Sequence, residues 1–149
     1  MKNKKLVICI LAVILLVIIL VLIFNGKSKT LKCMYESSKD SYTSVIETKV
    51  SFDNSGDKMN AYNQVLTLTF NDDENIEDNL ISLEEICEKY KVHDGVTCIV
   101  KKDKKVIKFE LNVDVTKLDE DAKEEINLDK YVNYHETKSI MEKASYSCN

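Results

Sequence analysis

Leu6 to Phe24 is a run of nineteen apolar residues without a charge, and it limits this chain more than any other feature. At a helical rise of about 1.5 Å per residue, the run spans roughly 28 Å, close to the hydrocarbon thickness of a bilayer. A soluble fold would have to bury such a helix on every side. Without the first 24 residues the apolar share falls from 44% to about 37%, enough for one modest core and no more. The run is therefore expected to be a transmembrane helix. Residues 1–5 would form a short cytoplasmic tail, 25–30 a linker, and 31–149 an extracytoplasmic domain. The run exits through Asn25-Gly26-Lys27-Ser28-Lys29 without a small-residue cleavage pattern, so it is expected to remain as a signal anchor. Lys2, Lys4 and Lys5 before it are matched by Lys27, Lys29 and Lys32 after it, and charge alone leaves the orientation tied. No G-x-x-x-G face is present, which leaves the oligomeric state open.

The cysteines break the tie. Cys9 lies within the apolar run, leaving Cys33, Cys87, Cys98 and Cys148. No pair has C-x-x-C spacing, so neither a metal knuckle nor a redox motif is indicated. Four cysteines in a small domain point to two disulfides and hence to an oxidising compartment. Geometry selects among the three pairings. Cys87 falls about five residues before the end of an expected helix, roughly 7–8 Å at helical rise. Cys98 falls two or three residues into the strand that returns from it, roughly 7–10 Å at strand rise. Their heights match, which gives Cys87–Cys98 and leaves Cys33–Cys148.

Hydrophobic periodicity outlines the domain. Leu31 to Glu36 reads as a strand. Tyr42 to Phe52 alternates, with Ile46, Thr48, Val50 and Phe52 on one face. Asn54-Ser55-Gly56-Asp57 is a turn signal before a strand from Lys58 to Phe70. Facing Val50 with Tyr62 requires an odd number of connecting residues, with a bulge at Gly56. An acidic stretch, Asp72 to Asp78, reads as a loop leading to Ser82-Leu83-Glu84-Glu85, which has capping-box spacing. Leu83, Ile86, Cys87 and Tyr90 then mark a helix to about Val92. A hairpin follows, with Val96, Cys98 and Val100 in one strand and Ile107 through Val115 in the other. A turn centred on Asp103 and Lys104 pairs Val100 with Ile107. A short helix begins near Asp119, and Leu128 to Ala144 reads as another. The expected fold is α+β, an antiparallel sheet with helices packed on one face, in the order β-β-β-α-β-β-α.

Little in the chain points to chemistry. His93 stands at a helix end and His135 within a helix, neither with a partner at catalytic or metal-ligand spacing. The acidic run at 72–78 lacks the order of a calcium loop. Lys101, Lys102, Lys104 and Lys105 cluster at a hairpin tip, the disposition of a solvated turn. Beyond the apolar run, 18 Lys oppose 25 acids, the wrong sign for nucleic acid, and no Arg is available for bidentate phosphate recognition. No catalytic residue, cofactor or metal site is indicated.

An N-terminal anchor before Leu31-Lys32-Cys33, then Phe52-Asp53 with a Gly-containing turn, form the start of a familiar order. A strand ending at Phe70, a Glu-rich helix, Gly95-Val96-Thr97-Cys98, a long alternating strand with Asp114, and Tyr146-Ser147-Cys148 complete it. In this order the chain resembles the small anchored bacterial lipoproteins of the YehR type, a family of unknown function. Those lipoproteins carry a lipobox Cys, whereas Cys33 follows Leu31-Lys32 and stands well beyond the apolar run. The resemblance implies the fold and an envelope location, and carries no site residues. The functional expectation is a membrane-anchored, non-catalytic binding module with an envelope protein partner. A small envelope hydrolase or redox enzyme, and an accessory subunit of a membrane complex, are the alternatives.

Overall fold

The computed structural model describes residues 28–73 and 75–149. The expected tail, transmembrane helix and first part of the linker lie outside the described residues. Among those described, no helix is long and apolar enough to cross a membrane. The elements are β1 (Thr30–Ser38), β2 (Tyr42–Phe52), β3 (Met59–Phe70), α1 (Ile76–Tyr90), β4 (Val96–Asp103), β5 (Val106–Asp114), a 3-10 turn (Val115–Lys117), α2 (Glu120–Glu125), α3 (Tyr134–Lys143) and β6 (Ser147–Cys148). The six strands form one sheet in the order β4-β5-β3-β2-β1-β6, every neighbouring pair antiparallel.

Strand alternation sorts the side chains. Leu31, Cys33, Val50, Phe52, Tyr62, Cys98, Phe109, Leu111 and Val113 are buried in one core with Cys87, Ala122, Ile126, Leu128 and Met141 from the segments that cover the sheet. α1 packs on β4 and β5, while α3 packs on β1 and β6. The opposite face is mainly polar, with Lys32, Glu47, Lys49, Lys108 and Asn112 exposed beside Met34 and Ile99. Phe52, Leu31, Ile107 and Val50 have no exposed surface, each contributing about 1.5–3 kcal/mol of burial free energy. Cys33 and Cys148 are directly opposed across β1 and β6, their Cα atoms 4.1 Å apart, and are disulfide-bonded. Cys87 on α1 is bonded to Cys98 on β4, with Cα atoms 5.3 Å apart.

The structure departs from the sequence expectations in several places. Val50 does face Tyr62, but the register shift falls between Ser51 and Phe52 rather than at Gly56, leaving Asn60 as the extra residue on β3. In the second hairpin Val100 pairs with Phe109, not Ile107, because the turn closes on Lys104 and Lys105, with Lys104 at φ 52°. The slip is two residues, so the same side chains stay on the apolar face. Strand β5 ends at Asp114 because its carboxylate accepts from the Thr116 backbone N–H and hydroxyl, turning the chain at Val115.

Helix α1 begins at Ile76, six residues before the proposed capping box. Ser82 is mid-helix, and its hydroxyl donates to the Asp78 carbonyl. The buried stripe is Ile76, Leu80, Leu83, Cys87 and Tyr90, while Ile86 is exposed. Glu77 and Asp78 occupy the first turn, where carboxylates favour the positive end of the helix. The expected helix over 128–144 is only Tyr134–Lys143. Asn127 at φ 62° ends the preceding helix, and Asn133 starts the next by accepting from the Glu136 N–H at 3.0 Å. β6 is absent from the expected order, since two residues are too few for periodicity to reveal.

Candidate functional site

The two charged stretches of the sequence meet. Lys102 contacts Glu77, Lys105 Nζ lies 3.8 Å from Asp73, and the same ammonium donates to the Asn71 carbonyl at 3.0 Å. The acidic segment and the lysine tip thus offset one another at one end of the sheet. Among the described residues, no group of three or more His, Cys, Asp or Glu is arranged to hold a metal ion.

The histidines lie on different elements. His93 follows α1, and its Nε2 stands 3.0 Å from Glu125 Oε2, while Lys89 Nζ reaches Glu125 Oε1 at 3.1 Å. Glu125 closes α2, so this cluster ties the C-terminal ends of two helices. Its carboxylate is held below the usual range by the Lys89 hydrogen bond first, against desolvation, with the Lys89 and His93 charges adding to it. A shallow hollow of about 300 Å³ beside it includes Asp94, Lys117 and Asp119. His135 is exposed in the first turn of α3, edge-on to the Tyr134 ring at 5.5 Å. Cys33, Cys87, Cys98 and Cys148 are all consumed by disulfides, which removes them as nucleophiles.

A more spacious concavity among the described residues was not signalled by any motif. It is a cleft of about 660 Å³ between the start of β3, the 3-10 turn, α2 and the segment before α3. Met59, Val115, Leu118, Leu128, Tyr131 and Val132 supply its apolar lining, with Asp57, Lys58, Glu120, Lys123 and Asp129 around them. Tyr131 stacks on Tyr62 at 6.1 Å with 14° between the planes, and Lys130 Nζ stands 5.2 Å over its ring. Burial, and then the neighbouring Tyr146, push the Tyr131 phenol upward; burial does the same, more strongly, to Tyr62. Both phenols are uncharged near neutral pH. Each presents an apolar body with a polar tip. The exposed Val132 beside Tyr131 was the available sequence signal, obscured by reading both as helix positions.

A second concavity of about 350 Å³ lies at the β1–β2–β6 edge, around Lys32, Met34, Glu47, Lys49 and Ser147. It is an open trough between side chains of the polar face.

No protein-family model matches the sequence, and no curated protein matches it. Among solved structures, the fold is similar to the NMR structure of the E. coli YehR protein, with a TM-score of 0.61 and 17% identity. The similarity covers 81% of this chain and 91% of that one. It agrees with the resemblance read from the motif order, and at this identity it carries the fold alone.

Proposed function

We propose that the chain is a membrane-tethered, extracytoplasmic and non-catalytic module that binds a protein partner at the bacterial cell envelope. The observation that carries this reading is the joint presence of nineteen uncharged apolar residues and a domain closed by two disulfides. The run has the length of a single-pass anchor, and the disulfides suit the oxidising side of the membrane. In this reading residues 6–24 span the membrane, and residues 25–149 face away from the cytoplasm. The polar sheet face and the small hollows offer surface for a partner.

Three measurements test the reading. Protease added to intact cells stripped of outer layers should digest the domain. Protection until the membrane is broken would reverse the orientation. Cross-linking before detergent extraction should then recover a defined envelope protein with the full chain. Turnover of an envelope substrate by the purified full chain, abolished by His93→Gln or His135→Gln without loss of fold, would replace the binding module with an enzyme.

A further inference from the structure

The apolar run ends at Phe24, and the chain is already fixed to the domain at Lys29. The Lys29 carbonyl accepts from the Phe52 N–H at 2.8 Å, and its ammonium donates to the Ser55 carbonyl at 2.7 Å. Its side chain crosses the β2–β3 turn at Gly56, where an added Cβ would stand 3.0 Å from Lys29 Cδ. The five Cα steps from Phe24 to Lys29 reach at most about 18 Å when fully extended. One headgroup layer takes up roughly 5–8 Å of that. The tether therefore leaves the attached end of the domain on the order of 10 Å of clearance.

Strand register identifies that end. Thr30 pairs with Ser51, Phe52 with Met59, Ala61 with Asp114 and Val113 with Val96, so these strand ends lie together. α3 starts there too, the Tyr134 N–H donating to the Gly56 carbonyl at 2.8 Å. The 660 Å³ cleft begins at Met59 and Val115, beside this end. Tyr131 and Val132 line it, Val132 being 57% exposed, and the Lys130 ammonium stands over the Tyr131 ring. An aliphatic group, an amphipathic ring and a long-stemmed ammonium side by side are side-chain types that a headgroup layer accommodates.

We infer that the domain stands on the headgroup layer of its own membrane, with Lys130, Tyr131 and Val132 at the contact. This rests on the reading of residues 6–24 as an anchor. β4 is eight residues long, so the Lys104–Lys105 tip lies roughly 27 Å along the strand from this end.

The chain has no Trp, so single-Trp variants report without background. The full chain would be placed in phosphatidylethanolamine–phosphatidylglycerol vesicles bearing a nitroxide on the headgroup or on the acyl chain. Val132→Trp, and Lys130→Trp as a second probe of the loop, should be quenched by the headgroup label at least about twofold more than Asp103→Trp. About twelve Gly and Ser residues inserted after Gly26 should bring the loop probes down to the Asp103→Trp level. Leu15→Trp, inside the run, should be quenched by the acyl-chain label. Quenching of Leu15→Trp with no excess at either loop probe would overturn the contact and leave the anchor standing. An unquenched Leu15→Trp would remove the anchor and this inference with it.

Discussion

At Gly56 three stretches of chain converge on one backbone position. Its φ of 86° lies where only glycine is comfortable, and an added Cβ would meet Lys29 at 3.0 Å and Tyr134 Cβ at 3.3 Å. The turn around it is organised by Asp53, whose Oδ1 accepts from the Ser55 hydroxyl and from the N–H groups of Gly56 and Asp57. Gly56→Ala should cost about 1–2 kcal/mol, read as a lower urea midpoint at unchanged slope; a wild-type midpoint would mean that the turn yields easily. Thr137 tells the opposite story. It is 0% exposed on α3, and its hydroxyl has no hydrogen-bond partner. Thr137→Val keeps the shape and branching while removing an unsatisfied group, so it should raise stability by roughly 1 kcal/mol. A loss of stability would show that the hydroxyl is satisfied in solution, by a buried water for instance.

Among the elements, what the sequence disclosed depended on whether a period or a local bond decided the matter. β2 and β3 follow from alternation alone, and their pairing of Val50 with Tyr62 follows from matching the two apolar faces. The second hairpin shows the limit: faces repeat every two residues, so pattern cannot distinguish a turn on Asp103 and Lys104 from one on Lys104 and Lys105. The second half of α1 was legible through Leu83, Cys87 and Tyr90, whereas its first turns, with Ile76 and Leu80, lie among acidic residues that read as a loop. The cleft was illegible because Met59, Leu118 and Tyr131 come from three separate segments. The disulfides act at this scale too. Cys33–Cys148 spans 115 residues and Cys87–Cys98 spans 11, so loop closure favours the first by about 5 kcal/mol against about 3 for the second. Replacing both Cys33 and Cys148 by Ser should therefore lower the thermal midpoint more than replacing Cys87 and Cys98. It should also free β6 from β1, seen as faster amide exchange from Lys32 to Met34. The reverse order of midpoints would show that strain or residual structure, not closure, dominates.

For the whole molecule, acid is the expected weakness. Asp53, Asp114, Glu110 and Glu125 are all held below their usual values, of 3.8 for Asp and 4.5 for Glu, by hydrogen bonds from Ser55, Thr116, Lys108 and Lys89 respectively. A carboxylate lowered in the folded state contributes stability that is fully present above its unfolded value and is lost as pH falls through its folded one. Urea midpoints should be flat from about pH 7 to 5 and drop toward about pH 3, with Asp53→Asn reducing the drop. An undiminished midpoint at the acid end would mean that these bonds also persist in the unfolded chain. The sheet order carries a consequence for how the molecule is made. β1 holds the first cysteine of the domain to emerge, and β6 holds its mate at Cys148. On the proposed reading of an exported domain, Cys33 waits as a lone thiol while Cys87 and then Cys98 follow it into an oxidising space. A catalyst joining cysteines in order of arrival would link Cys33 to Cys87 and trap the chain with β1 under the wrong helix. Correct assembly thus requires α1 and the β4–β5 hairpin to fold and claim their own pair first, or an isomerase to undo the early error.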